Sequence, residues 1–420
     1  MNHFHYVDGE LWCEEVPMRR IAEEVGTPAY VYSTATLTRH FTVFQQSLAA
    51  VDHLICYSVK ACSNIAILRL LHNLGAGFDI VSGGELHRLL AAGIPGDKVV
   101  FSGVGKTRPE MIQALDAGIH CFNVESRPEL QLLSQVATER GTEAAVSIRV
   151  NPDVDAQTHP YISTGLKGNK FGVPWRKARK AYTLAAELPG LRVVGVDCHI
   201  GSQLLKLDPL LEALDMMLEL VDDLRAAGHP IEHLDMGGGL GIRYKDEHPP
   251  TPAEFGAAFA ERTRGRDLTL VFEPGRIIAG NAGALLMQLL WEKNMSGHRF
   301  AIVDAAMNDA IRPALYGAHH EIRPVVARPA DAPQREVDVV GPICESGDFF
   351  ARDRALPILE PGELLCLMSA GAYGFSMASN YNSRGRAAEV LVDGAEYHIV
   401  RARETLDDLI RGEHIPSHLR

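Results

Sequence analysis

In the stretch His53-Leu-Ile-Cys-Tyr-Ser-Val-Lys60-Ala-Cys-Ser-Asn64, an apolar run of strand character stops at a lysine. An amine at the end of a buried strand is costly to desolvate unless it is paired or covalently used, and desolvation moves its pKa toward the nucleophilic neutral form. A lysine that merely snorkels out of a strand end looks the same locally. The weight given to Lys60 therefore depends on whether this pattern recurs along the chain.

Eight such runs lie between residues 53 and 276, at 54–59, 77–81, 99–102, 121–124, 145–150, 193–200, 231–236 and 268–272. Segments with helical spacing separate them, such as Gly84-Glu-Leu-His-Arg-Leu-Leu-Ala-Ala-Gly93, whose apolar residues recur three and four apart. Eight alternating units are the number that closes a parallel (β/α)8 barrel of the TIM type, in which chemistry gathers where the strands end. Polar residues or glycines follow nearly every run: Lys60, Asp79 to Ser82, Gly103, Glu125, Asn151, His199, Gly237 and Glu273. A doubly wound sheet would alternate similarly, but no dinucleotide fingerprint follows the first run.

Outward from the barrel, the texture changes after about residue 281 to alternating strands with Pro and Gly punctuation, as in Glu336-Val-Asp-Val-Val-Gly-Pro342 and Ala388-Glu-Val-Leu-Val-Asp-Gly394. The expected organisation is an N-terminal segment, 1–34, joining a C-terminal all-β domain, 281–420, around a cofactor-binding barrel, 35–280. The chain has 420 residues, 46% of them hydrophobic, enough for a large core. Acidic residues outnumber basic ones, 53 to 41, with no basic, aromatic-interleaved run, so no nucleic-acid partner is expected. No apolar stretch is long enough for a membrane span, and the N-terminus lacks the blocks of a signal peptide. The seven cysteines are scattered without a CxxC pair, which fits a reducing, cytoplasmic setting and argues against structural zinc.

Gly103-Val-Gly105-Lys106-Thr107 resembles the end of a phosphate-binding P-loop, but the required first glycine is replaced by Val100. Gly237-Gly-Gly-Leu-Gly241 likewise has Ile242 where a dinucleotide loop needs glycine, yet it keeps three residues without Cβ whose N–H groups are open to an anion. Phe272-Glu273-Pro274-Gly275-Arg276 places a carboxylate, an open backbone amide and a guanidinium at one strand end. A carboxylate facing a pyridine nitrogen keeps it protonated, and an arginine can grip a carboxylate bidentately. His199-Ile-Gly-Ser202-Gln203 adds an imidazole able to stack on a ring, beside further anion donors, and no second ligand stands at metal spacing. An amine, a ring-facing carboxylate, an imidazole and a glycine cradle at one rim are the set that pyridoxal 5′-phosphate requires.

With these motifs in order, the chain resembles the bacterial diaminopimelate decarboxylase family over nearly its whole length. The resemblance rests on Tyr57-Ser-Val-Lys60-Ala, Gly77-Phe-Asp-Ile-Val-Ser-Gly-Gly-Glu-Leu86, Asn151-Pro-Asp-Val-Asp-Ala-Gln-Thr-His-Pro160, the His199, Gly237 and Glu273 motifs above, Met307-Asn-Asp-Ala-Ile-Arg-Pro-Ala-Leu-Tyr316, Cys344-Glu-Ser-Gly-Asp348 and Ala372-Tyr-Gly-Phe375. It implies Lys60 as the lysine that carries the cofactor, His199 stacked on its ring and Glu273 at its pyridine nitrogen. It gives cofactor binding also to Ser202, Gly238, Gly239, Pro274, Gly275, Arg276 and Tyr373. It implies that Arg276, Arg312, Tyr316, Glu345 and Tyr373 hold the far end of meso-2,6-diaminopimelate, and that Cys344 returns a proton. It also implies a homodimer in which Cys344 and Glu345 reach the neighbouring subunit's site. Two positions depart from the family pattern, Cys62 for a usual Asn and Gly385 for a common Pro, and neither carries an assigned role. Relatives of the same fold acting on ornithine or arginine are the nearest alternative, but their substrates lack the second carboxylate that Arg312 and Tyr316 would serve. A non-catalytic carrier of the cofactor would not need residues 281–420.

Overall fold

The computed structural model describes residues 2–156, 158–159, 162, 164, 169–329 and 331–420. Gln157 and Pro160 of the family motif starting at Asn151 lie outside these residues. The chain forms two compact units, Leu37–Ala279 and a second made of Met1–Thr36 with Gly280–Arg420.

In the first unit all eight expected runs are strands: β1 (His53–Ser58), β2 (Gly77–Ile80), β3 (Val99–Phe101), β4 (Cys121–Val124), β5 (Ala144–Asn151), β6 (Leu191–Asp197), β7 (His233–Asp235) and β8 (Thr269–Phe272). Each pairs in parallel with the next, and Leu270 opposite His53 and Phe272 opposite Ile55 join β8 to β1, so the barrel is closed. The run at 193–200 continues past the end of its strand. After Asp197 the chain leaves the ladder, and the carbonyls of His199 and Ile200 accept hydrogen bonds from the Thr164 hydroxyl and N–H at 2.9 and 3.0 Å.

Helices cover the barrel because their apolar residues recur at helical spacing. In Asp208–Ala226 the buried residues include Leu210, Ala213, Leu214, Met217, Leu218, Val221 and Leu224, with acids and Arg225 on the other face. Ser82, Ser126 and Thr251 each accept the N–H of a glutamate three residues on, a cap worth about 1 kcal/mol per helix. Inside the barrel the strands are not purely apolar: Ser58, Asp79, Asn123, Ser147, Arg149, Asp197 and Asp235 are all buried.

The second unit is a sheet domain, as the alternation predicted, and it takes in the N-terminal segment. Its strands run in the order Phe349–Pro357, Gln334–Val340, His298–Val303, Gly283–Met295, Ala29–Ser33, Ala388–Asp393, Glu396–Arg401. Ala29–Ser33 is buried along its whole length, antiparallel to Gly283–Met295 and parallel to Ala388–Asp393. That position suits Ala-Tyr-Val-Tyr-Ser, a short run with no charge. Among the described residues, no helix is long and apolar enough to cross a membrane.

Candidate active site

Lys60 stands two residues beyond the end of β1, its side chain 37% exposed at the open end of the strand, and its Nζ lies 2.7 Å from Oδ2 of the fully buried Asp79 on β2. The Ser58 hydroxyl donates to both that carboxylate oxygen and the Glu273 carbonyl, each at 3.0 Å. Ser58 N–H also donates to the Pro274 carbonyl at 3.1 Å. Lys60 and the Glu273-Pro274 segment at the other end of the barrel sequence are thus linked through Asp79 and Ser58. An isolated buried carboxylate would be strongly disfavoured, and the amine supplies its compensation.

Glu273 is buried, and its Oε1 accepts the Ser102 hydroxyl at 3.2 Å. One carboxylate oxygen each from Glu273, Asp235 and Asp197 lie within 4.8 Å of one another. Burial, and then the neighbouring charges of Asp235, Asp79 and Asp197, push the Glu273 carboxyl well above the usual range, while Lys60 pulls the other way. Asp197 is raised for the same reasons, burial first and Asp235 second. Burial raises Asp235 to about 6 against hydrogen bonds with Gly237 N–H, the Asn123 amide and Glu273 that hold it down. Like charges this close in a low-dielectric interior do not all ionise together without a cation.

His199 Nδ1 accepts the N–H of Gly238 at 3.2 Å, which assigns the ring proton to Nε2 in the neutral ring. Burial, Arg149 and Lys60 all hold its pKa well below the ordinary value, so the neutral ring is the form present. Gly237, at φ +64°, has no room for a side chain: a Cβ there would lie 2.5 Å from His199 Nδ1. A Cβ on Gly239 would lie 2.5 Å from the Gly201 carbonyl, and one on Gly238 would strike the Glu273 carbonyl. The glycine triplet is therefore required by close packing of three strand ends, beyond any turn preference. Arg276, also buried, donates to the Tyr244 hydroxyl at 2.7 Å and to Ser202 Oγ at 3.1 Å. Gly275 starts the short helix Arg276–Ala279, its carbonyl accepting Ile278 N–H at 3.1 Å. At the C-terminal strand ends the hydrogen bonds thus form three groups: Lys60 with Glu273 and Pro274 through Asp79 and Ser58, His199 with Gly238, and Ser202 with Arg276. Lys106, the near-P-loop lysine, is turned inward onto Glu129 at 2.8 Å and onto the carbonyls of Gly103 and Asn123.

The remaining expected site residues belong to the sheet unit. Arg312 is buried and meets His320 Nε2 at 2.8 Å, while His320 Nδ1 lies 2.8 Å from the Met368 carbonyl. Arg312 and Tyr316 open and close one short helix, so both lie on a single turn and a half. Tyr373 lies far along the chain, in the loop after the strand Leu364–Leu367, with φ +56°, a conformation that costs a non-glycine residue. Cys344 and Glu345 are exposed. Behind them Asp348 accepts the Met307 and Ile343 N–H groups at 2.7 Å each, and Asn382 Oδ1 accepts Cys344 N–H at 3.0 Å. The other six cysteines are buried, Cys62 included.

These residues fit pyridoxal 5′-phosphate. A buried group of carboxylates is best matched by a protonated ring nitrogen, Lys60 offers the amine for the aldehyde, and the glycine loop with Ser202 and Arg276 suits a phosphate. Sequence reading missed several participants: Asp79, Ser102, Asn123, Asp235 and Tyr244. The available signal was an acid or amide inside an otherwise apolar strand, as in Gly77-Phe-Asp-Ile80 and Cys121-Phe-Asn-Val124.

Residues 34–280 match the family described as pyridoxal-dependent decarboxylase, pyridoxal binding domain. A diaminopimelate decarboxylase of Pseudomonas aeruginosa is 59% identical over 413 residues, covering 98% of this chain and 99% of that protein. Among solved structures, diaminopimelate decarboxylase from M. jannaschii in complex with L-lysine superposes with a TM-score of 0.94 at 38% identity, covering 100% of both chains. The Helicobacter pylori enzyme, also complexed with L-lysine, does so at 0.90 and 43% identity, over 94% of this chain and 98% of that one. A closed barrel with a lysine, a carboxylate cluster and a glycine cradle at its strand ends, and relatives this similar over this length, make the chain a member of the pyridoxal-dependent diaminopimelate decarboxylase family.

Proposed function

We propose that this chain decarboxylates meso-2,6-diaminopimelate at its D-centre, giving L-lysine and carbon dioxide, the last step of lysine synthesis. The observation that carries the reading is the continuous hydrogen-bonded link from Lys60 through Asp79 and Ser58 to the Glu273 segment, inside a barrel of this family. When bound, pyridoxal phosphate supplies a protonated ring that draws electrons from the bond to the departing carboxylate.

In this reading Lys60 would hold the aldehyde end of the cofactor, Glu273 would face its ring nitrogen and His199 would lie against the ring. Ser202, Gly238, Gly239, Pro274, Gly275, Arg276 and Tyr373 would enclose the phosphate end. Asp79 keeps the Lys60 amine aimed while its own charge stays compensated. The neutral His199 presents a flat face without adding a charge that would oppose the protonated ring. Arg276, Arg312, Tyr316, Glu345 and Tyr373 would recognise the far amino-acid end. Buried charges of this kind penalise a substrate that leaves them unpaired. Cys344 Sγ would return a proton to the carbon that lost its carboxylate.

The exposure of Cys344 and Glu345 suits a residue pair completed by a second copy of the chain, and a homodimer with shared sites is part of the proposal. Seven free cysteines suit work in the reducing cytoplasm. The test is carbon dioxide release from purified protein on meso-diaminopimelate, ornithine, arginine and L-lysine. Turnover restricted to the first is expected. Comparable rates on ornithine or arginine would overturn the substrate assignment.

A further inference from the structure

Four buried side chains outside the proposed mechanism, Ser147, Asn123, Ser102 and Asp235, form one network of hydrogen bonds that ends on Glu273. Asn123 on β4 donates through Nδ2 to Ser102 Oγ and to Asp235 Oδ2, both at 3.1 Å, and its Oδ1 accepts the Ser147 hydroxyl at 2.7 Å. Because β4 and β7 are not neighbours in the ladder, the bond from Asn123 to Asp235 crosses the barrel interior. All of these residues are buried.

The direction of every bond follows from the donor inventory. A carboxylate oxygen at Asp235 and a hydroxyl donor at Ser147 fix the amide with its NH2 toward Ser102 and Asp235. Ser102 then has its oxygen occupied by an N–H, and its own proton goes to the 3.2 Å partner, Glu273 Oε1. Asp235 has both oxygens engaged by amide donors, Gly237 N–H at 2.8 Å and Asn123, the pattern of an ionised carboxylate. A fixed hydroxyl donor orients Glu273, and a fixed anion beside it adds to the field that welcomes a cation.

We propose that Ser102 and Asp235, held in register by Asn123, are positioning residues that set the orientation and charge of Glu273 for a protonated ring nitrogen. This rests on the reading of Glu273 as the residue facing that nitrogen. The role differs from plain structural support because the one Ser102 proton is given to Glu273, so most of its effect on the cofactor is lost when Glu273 no longer carries a carboxylate charge. A hydrogen bond to a charged group is strong enough that losing it changes an equilibrium constant by about tenfold.

The experiment is a double-mutant cycle of Ser102→Ala and Glu273→Gln, read by titrating cofactor-free protein with pyridoxal phosphate and recording the absorption spectrum of the bound cofactor, alongside turnover. Ser102→Ala is expected to weaken cofactor binding about tenfold and shift the spectrum, and Ser102→Thr, which keeps the hydroxyl, to restore both. On the Glu273→Gln background, Ser102→Ala should change binding less than about twofold. Equal effects of Ser102→Ala on both backgrounds would overturn the positioning role while leaving the Glu273 reading intact. If Glu273→Gln itself alters neither affinity nor spectrum, the underlying reading fails instead. As a second arm, Asp235→Asn should weaken cofactor binding by a similar factor, and an unchanged affinity would remove Asp235 from the role.

Discussion

The barrel mouth and the Cys344–Asp348 segment of the sheet unit are built on opposite plans. At the mouth, Asp79, Asn123, Asp235 and Glu273 are buried and held by hydrogen bonds of 3.0–3.2 Å to Ser58, Ser102 and one another, which fix the acidic groups in place. In the sheet unit, Asp348 fastens the segment through two backbone bonds, yet Cys344 and Glu345 stand in solvent. Electron withdrawal needs a pre-set field, and a static environment supplies it. A group that must meet a moving substrate or a second subunit needs a firm base and an open tip.

The largest test of this contrast is Lys60→Ala, expected to abolish turnover by at least about 10⁴-fold, because it removes the amine for the cofactor and leaves Asp79 buried without its cation. Borohydride reduction followed by peptide mapping checks the same point, since the label should fall on Lys60. A label on another lysine breaks the reading of the mouth. Next, Cys344→Ala should slow turnover about 10²-fold with cofactor affinity unchanged. In native protein Cys344 should be the one thiol of seven to react rapidly with a thiol reagent, and L-lysine should protect it. Fast labelling of a buried thiol such as Cys62 would blur the contrast.

Smaller effects sharpen it. Asp348→Asn puts an amide where two backbone N–H groups need acceptors, so thermal unfolding should show a loss of about 1–3 kcal/mol in the sheet unit, with KM rising more than cofactor affinity falls. The smallest concerns pH. Burial raises Asp235 from an unfolded value near 4 to about 6, so in the folded, cofactor-free protein it is ionised near neutral pH and holds its proton to a higher pH than the unfolded chain does. The resulting stability is fully present below pH about 4 and is lost as pH rises through about 6. Asp235→Asn should flatten that decline, an effect of about 1–3 kcal/mol read from unfolding curves at several pH values. An unchanged slope would place the proton elsewhere in the cluster.

Much of this arrangement is legible in the chain. The eight apolar runs are visible because a parallel barrel strand is buried on both faces and must be apolar over four to eight residues. Lys60, Gly237 to Gly239 and Glu273 are visible because each breaks such a run at its C-terminal end. Gly283–Met295, the long strand that pairs with Ala29–Ser33, was not singled out, since Ala-Leu-Leu-Met-Gln-Leu-Leu suits a helix as well as a buried strand. Asp79 sat inside a quoted motif without a role, because its partner is nineteen positions away and one strand over.

By itself the sequence determined the number of barrel units, the residues offered at each strand end and the chemical classes they could serve, because these depend on local pattern and side-chain type. Only the tertiary structure decided which of them meet. Barrel closure brings β8 beside β1, so Ser58 can bridge Asp79 and the Glu273 segment, and it brings Asn123 across the interior to Asp235. Those pairings arise from ring closure and packing of chain segments that are distant in sequence, and no local pattern encodes them.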